Sequence, residues 1–234
     1  IGEARSKWIG SDGLGALLRH GTPRGMPNFG TSGLLTDSEI VKMSAYLQLP
    51  PPEAPPLTMD EIRASWNLVV PVASRPTAPQ HTRNWENFFG VVERDAGKIT
   101  IYDGTTRETV ARMDVGFAVH ILRSSADGRY FYAIGRDGVV TLIDLWTSLP
   151  TTVATVKGCH DARSVDGSKF AGYEDKYVIE GCYWPPQYVV FDGLTLEPLA
   201  RVDLPLTDST GATLLENRVA SIVASHVEPT WMVS

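Results

Sequence analysis

The sequence predicts a mainly β fold, a partial β-propeller preceded by a short helical segment. Three observations carry this. From about residue 87 the chain is a series of short β-branched and aromatic runs broken by Asp-Gly turns. Those runs repeat with a period of roughly 40–45 residues, that of a four-stranded propeller blade. A proline-rich stretch separates them from helical patterning upstream.

Residues 1–49 read as helix and loop. In Gly13 to Gly21 (GLGALLRHG), Leu14, Leu17 and Leu18 share one helical face, and Gly21 closes it. A Gly/Pro-rich loop follows. Thr36 and Glu39 then form a capping box for a second helix, with Ile40, Met43 and Leu47 at helical spacing. Residues 50–57, with Pro50, Pro51, Pro52, Pro55 and Pro56, form a stiff linker and a domain boundary. Beyond it Thr58 and Glu61 make another capping box, opening a short helix that ends near Trp66.

The strands expected in 58–234 include FFGVVE (88–93), KITIYD (98–103), YFYAIG (130–135), VVTLIDL (139–145), KYVIEG (176–181) and YVVFD (188–192). Ile101-Tyr102-Asp103-Gly104, Leu142-Ile143-Asp144-Leu145 and Val190-Phe191-Asp192-Gly193 occupy equivalent places. His120, Arg123, Ser124, Asp127 and Gly128 are echoed by His160, Arg163, Ser164, Asp166 and Gly167. About three blades fit, fewer than the 4–8 that close a propeller. The start on Ile1 and the end on Trp231-Met232-Val233-Ser234 also lead us to expect part of a longer protein.

Net charge is −6, which argues against nucleic acid as the main partner. No apolar run is long enough to span a membrane. The two cysteines, Cys159 and Cys182, form neither CxxC nor CxxCH, and spacing alone does not pair them. No Gly-x-Ser-x-Gly, P-loop, GxGxxG or HExxH occurs, so hydrolase, phosphoryl-transfer and Rossmann readings have no support.

The repeat points to a site. Equivalent positions in successive blades lie at one height around one axis. Arg94 and Arg136 should stand at one end, and Arg123 and Arg163 should form a second such pair. Four converging arginines need an anion between them, and Arg holds carboxylates with a two-pronged fork. A polycarboxylate ligand is one reading; local turn ion pairs, repeated with the blades, are the other. His120 and His160 are repeat counterparts, and either suits a metal or a packed core. His20, His81 and His226 read as structural or surface residues. Met26, between Gly25 and Pro27, is a candidate soft ligand for haem iron or simply packing. Tyr183-Trp184-Pro185-Pro186 is a rigid aromatic turn, suited to stacking on a flat cofactor or to filling a gap between blades.

These residues resemble a known family. The GMPNF loop and its helix are similar to the C-terminal part of a class I cytochrome c domain. SWNLVVPV (65–72), RDAGKI (94–99), GFAVHILRSSADGRY (116–130), GRDGVVTLIDLW (135–146), RSVDGSKFAGYEDKY (163–177), YWPPQYVVFDGLTLEP (183–198) and RVASIVASH (218–226) resemble haem-cd1 nitrite reductases. The likeness runs from about residue 12 to the end, weakest at 204–217, where a loop variation is expected.

The resemblance implies an α-helical cytochrome c domain joined to an eight-bladed propeller that binds haem d1. It implies that Met26 is the axial ligand of haem c and His120 the proximal ligand of haem d1. It places Arg94, Arg123, Arg136, Arg163 and Tyr183 around the d1 carboxylates and pocket. The implied activity is dissimilatory, one-electron reduction of nitrite to nitric oxide in the periplasm. Its partners would be nitrite and a soluble electron donor, a small cytochrome c or cupredoxin, with no nucleic acid and no membrane, and the full-length protein would be a homodimer. The family's distal histidine pair belongs to later blades and CxxCH is absent, so this chain alone should be inactive. The alternatives are a d1-haem biosynthesis paralogue, which oxidises a d1 precursor, and a non-enzymatic propeller that binds a partner.

Overall fold

The computed structural model describes residues 3–23, 25–49, 55–205, 207–212 and 217–234. The chain divides into two units, Ile1–Ala54 and Pro55–Ser234. Residues 50–54 of the expected linker, and 206 and 213–216 of the divergent segment, lie outside the described residues.

In the first unit, α1 (Glu3–His20) bends at Gly10, whose φ of 71° leaves the helical region. The helix expected from Gly13 is therefore the second half of a longer one. Leu14 and Leu18 are its buried contacts. Gly21 ends it with φ +69°, and a Cβ there would lie 2.4 Å from the Met26 carbonyl oxygen. In α2 (Asp37–Tyr46) both halves of the Thr36–Glu39 capping box form. Ile40 and Ser44 are buried on α2, whereas Met43 is 42% exposed. This corrects the expected apolar face. At 3.6 residues per turn, position 44 lies about 40° from position 40 and position 43 about 60° away on the other side. Ser44 tolerates burial because its hydroxyl donates to the Ile40 carbonyl at 2.7 Å.

The second unit opens with α3 (Met59–Ser65), which is capped by Thr58 and Glu61. Leu57 and Ile62 are buried in the main core, so the chain is already anchored at the end of the proline-rich stretch. A two-residue strand, β1 (Asn67–Leu68), follows.

The remaining strands form consecutive antiparallel sheets. The first sheet has β2 (Phe88–Glu93), β3 (Lys98–Asp103) and β4 (Thr109–Asp114). The second has β5 (Ile121–Ser124), β6 (Tyr130–Ile134), β7 (Val139–Asp144) and β8 (Thr151–Lys157), and β1 pairs with β8 at its edge. The third has β9 (Asp161–Gly167), β10 (Tyr177–Trp184), β11 (Gln187–Asp192) and β12 (Pro198–Asp203). A fourth begins with β13 (Ile222–Ala224) and β14 (Trp231–Val233). This is a propeller-like, mainly β arrangement, and the described sheets do not close a ring.

The repeat has a local cause. Asp103 Oδ1 accepts the Thr105 amide, Asp144 Oδ1 the Trp146 amide and Asp192 Oδ1 the Thr195 amide. Each aspartate thus closes the turn that leads into the last strand of its sheet, β4, β8 or β12. The sheets pack face to face. Every position of β6 is buried, because Phe131 and Ala133 face one neighbouring sheet while Tyr130, Tyr132 and Ile134 face the other. Polar groups also join the sheets: Ser164 Oγ accepts the Ile222 amide at 2.9 Å, and Asp166 Oδ2 the Ala224 amide at 2.8 Å.

Cys159 and Cys182 form a disulfide. It ties the start of β9 to the end of β10, a pairing that the sequence left open.

Candidate functional site

The loop from Val115 to His120 crosses from β4 to β5, and the turn between β6 and β7 holds it in place. Phe117 N donates to Asp137 Oδ2 at 2.9 Å, Arg136 N to the Phe117 carbonyl at 2.8 Å and His120 N to the Ile134 carbonyl at 3.1 Å. Inside this loop Ala118 has φ 48°, a left-handed conformation unfavourable for a residue with a Cβ. Strain of this kind persists only where surrounding bonds impose it, and it collects at functional sites.

The loop delivers the His120 ring to the space between two inner strands. Nδ1 lies 3.2 Å from the Ala118 carbonyl oxygen, and Nε2 lies 3.2 Å from the Arg163 carbonyl oxygen. The ring is half-buried. Burial lowers its pKa below the ordinary value, and the nearby Arg163 and Arg136 charges lower it further. His120 is therefore neutral at pH 7, the form that ligates metals. With its proton on Nδ1, bonded to Ala118, the ring keeps a lone pair on Nε2. His160 differs from its repeat counterpart, because its Nε2 lies 3.3 Å from the Pro56 carbonyl.

A cleft of about 580 Å³ opens beside this loop, lined by Arg94, Phe117, Ala118, Arg136, His160 and three aspartates, Asp95, Asp137 and Asp161. Arg94 and Arg136 occupy the equivalent turns of the first and second sheets, so the repeat sets both on one cleft. Neither guanidinium is idle. Arg94 pairs with its neighbour Asp95 at 3.3 Å, the local turn pair that was the plainer reading. Arg136 forks onto Asp161 of the third sheet. With two arginines and three aspartates, the lining itself carries no excess positive charge.

Unpaired positive charge lies on the inner strands instead. Arg123 on β5 is exposed and Arg163 on β9 half-buried, and neither guanidinium has a hydrogen-bond or ion-pair partner among the described residues. Tyr183, at the end of β10, lies under two arginines: Arg136 is 5.5 Å and Arg218 4.9 Å from its ring centre. His120, Arg123, Arg163 and Tyr183 do not line the cleft itself. Asp137, Asp161 and Arg218 were not singled out from the sequence. Asp137 directly follows Arg136, one of the repeated arginines, whereas nothing local marks Asp161 or Arg218.

Met26 lies in the first unit. Its amide donates to Thr22 Oγ1 at 3.2 Å, and its carbonyl accepts the Thr22 amide at 3.0 Å. The loop that carries it is therefore closed on itself, with the side chain half-exposed. Among the described residues no group of three or more His, Cys, Asp or Glu side chains is arranged to hold a metal ion. Among the same residues, no helix is long and apolar enough to cross a membrane.

Comparison with known proteins identifies relatives of the whole described chain. A nitrite reductase from Stutzerimonas stutzeri is 48% identical over 226 residues, 97% of this chain and 40% of that protein. A dihydro-heme d1 dehydrogenase from Pseudomonas aeruginosa is 31% identical over 219 residues, 93% of this chain and 42% of that protein. The solved structure of the dihydro-heme d1 dehydrogenase NirN in complex with DHE superposes with a TM-score of 0.72 at 30% identity, covering 99% of this chain and 47% of that one. The chain thus spans less than half the length of these relatives. Residues 83–234, the segment that carries the sheets and the cleft, match the Cytochrome D1 heme domain, and the chain belongs to that family.

Proposed function

We propose that this chain is the central part of a haem-cd1 nitrite reductase, with haem d1 bound where the inner strands meet the cleft. One observation carries the reading: a neutral imidazole stands near the Arg163 charge, and the guanidiniums of Arg163 and of Arg123 on the adjacent inner strand have no acceptor among the described residues. Those are the groups an iron macrocycle bearing carboxylates requires. The 48% identity to a nitrite reductase favours this reading over the biosynthetic one, whose relative is 31% identical.

Haem d1, when bound, supplies the one-electron redox chemistry. The overall change is nitrite, one electron and two protons giving nitric oxide and water. The chain's own work is ligation and electrostatics. His120 is the iron's protein ligand. Arg123 and Arg163 hold carboxylates of the macrocycle, and their charge favours an anionic substrate. Arg94, Arg136 and Tyr183 wall the pocket, with the Tyr183 ring offering a flat surface. Asp137 positions the loop that carries His120. The first unit would be the end of a class I cytochrome c domain, where Met26 would supply a thioether ligand to the iron of haem c. Leu34, Val41 and Tyr46 are exposed there, apolar surface that suits a unit with more of its own domain to pack against. The whole propeller has eight blades.

A soluble small cytochrome c or cupredoxin donates the electrons, and the full-length protein is a homodimer. The Cys159–Cys182 disulfide supports a periplasmic location, because such bonds persist in oxidising compartments. The proton-donating histidines belong to later blades.

An absorption spectrum of the purified full-length protein tests this directly. Bands from both haem c and a d1-type chlorin are expected. A colourless protein would refute both haem readings and leave a propeller that binds a partner. A d1 signal without nitrite turnover would favour the biosynthetic paralogue.

A further inference from the structure

Away from the cleft, a second cluster of charges is buried against the second sheet. Arg75 is 5% exposed. Its Nε donates to the Val70 carbonyl at 3.1 Å. Its two terminal nitrogens are buried and, among the described residues, meet no acceptor at good hydrogen-bonding geometry, the Tyr130 hydroxyl being the polar group nearest to hand. The guanidinium carbon lies 5.4 Å from the centre of the Tyr130 ring. Arg129 packs on the same ring at 4.7 Å and on the Trp146 ring at 4.3 Å.

The charges here do not balance. Arg129 forks onto Asp144, which is fully buried, at 3.0 and 2.7 Å. That pair is complete. Asp127, the other carboxylate nearby, is exposed and accepts from Ser125 Oγ and the Arg129 amide. Tyr130 brings no negative charge, because burial pushes its phenol up despite the two arginines. Arg75 is left as a buried cation with a stacked ring, one carbonyl and a neutral phenol, and it has no ion-pair partner among the described residues. An unpaired buried charge is among the costliest features a fold can carry. A water molecule could satisfy the hydrogen bonds, but it would leave the charge.

We infer that the terminal nitrogens of Arg75 hold a small monovalent inorganic anion, chloride in an ordinary buffer, locked between the Val70–Arg75 segment and the second sheet. This site is independent of the haem reading. The anion would be structural, fixing that segment to the blade.

Two measurements on the full-length protein test it. The first follows the melting temperature as sodium chloride replaces sodium gluconate at constant ionic strength. A rise of roughly 2–4 °C is expected. Arg75→Met should remove the chloride dependence. The second measurement needs no variant: crystals grown in bromide should show an anomalous peak within hydrogen-bonding distance of Arg75. Equal melting in chloride and gluconate, or water without halide signal at that position, would overturn the inference and leave the haem assignment untouched.

Discussion

The Nε2 atom of His120 stands 3.2 Å from the carbonyl oxygen of Arg163, so one ring joins the inner strands of two neighbouring sheets. Its other nitrogen faces the Ala118 carbonyl at the same distance. A neutral imidazole carries a single N–H, so one of the two carbonyls must face a lone pair. Only protonation would satisfy both, and burial together with the neighbouring arginines opposes it. A small rotation that turned Nε2 towards an iron atom would give up little. An NMR titration of the haem-free protein should therefore give His120 a midpoint below the ordinary 6.5. Because the unfolded chain then binds more protons, the His120 contribution to stability is present above that pH and is lost as pH falls through 6.5 towards the folded midpoint. A midpoint at or above 6.5 would contradict the neutral ring.

Arg136 and Asp161 hold each other across the cleft. Releasing Arg136 should help it to meet a carboxylate ligand. Asp161→Asn is expected to tighten haem d1 binding by up to roughly fivefold, since an ion pair this exposed is worth about 0–1 kcal/mol. Arg136→Gln should weaken it by roughly tenfold or more, the loss of a charge-assisted hydrogen bond. Titration of d1 into the haem-free full-length variants separates the two. Weaker binding by both would mean that the pair itself, rather than the freed guanidinium, shapes the site.

Glu180 is fully buried in the core between the second and third sheets, and among the described residues neither of its oxygens has a well-formed hydrogen bond, the Gly158 amide giving only partial compensation. Burial, and after it the Asp137 carboxylate, raises its pKa well above the ordinary 4.5. The folded form then keeps a proton that the unfolded form gives up. Stability is full below 4.5 and falls as pH rises towards the folded pKa, by up to about 1.4 kcal/mol per pH unit. Glu180→Gln should abolish this slope, so that the variant is the more stable protein at pH 7. Denaturant midpoints between pH 4 and 8 check it, and parallel curves for wild type and variant would show that Glu180 stays ionised.

The disulfide closes a loop of 23 positions. Loop-closure entropy values that at about 3 kcal/mol. Cys159→Ser with Cys182→Ser should lower the unfolding midpoint accordingly, and reductant should lower the wild-type midpoint to a similar level. No difference between oxidised and reduced protein would show that the bond adds nothing.

Much of this fold is written locally. The three repeated aspartates could be aligned because each closes the same turn with its own side chain, a bond made within three residues. The capping boxes were legible for the same reason. What crosses between sheets was not. Arg136 has Asp137 beside it in sequence, yet it pairs with Asp161, whose approach depends on how β9 packs beside β5. Cys159 and Cys182 become partners only once β9 and β10 are neighbours. Met43 fits an apolar stripe by type, but the angle around the helix favours Ser44. The site was legible as a set of repeated residue types and illegible as a set of partners.

The central claim is that His120 is the protein ligand of a d1 iron. It is tested most directly by the d1 content of the full-length protein against its His120→Ala variant, read from the chlorin bands, with haem c absorbance as the internal standard. Loss or marked loosening of d1 at unchanged haem c is predicted. Equal d1 content in both proteins would contradict the assignment.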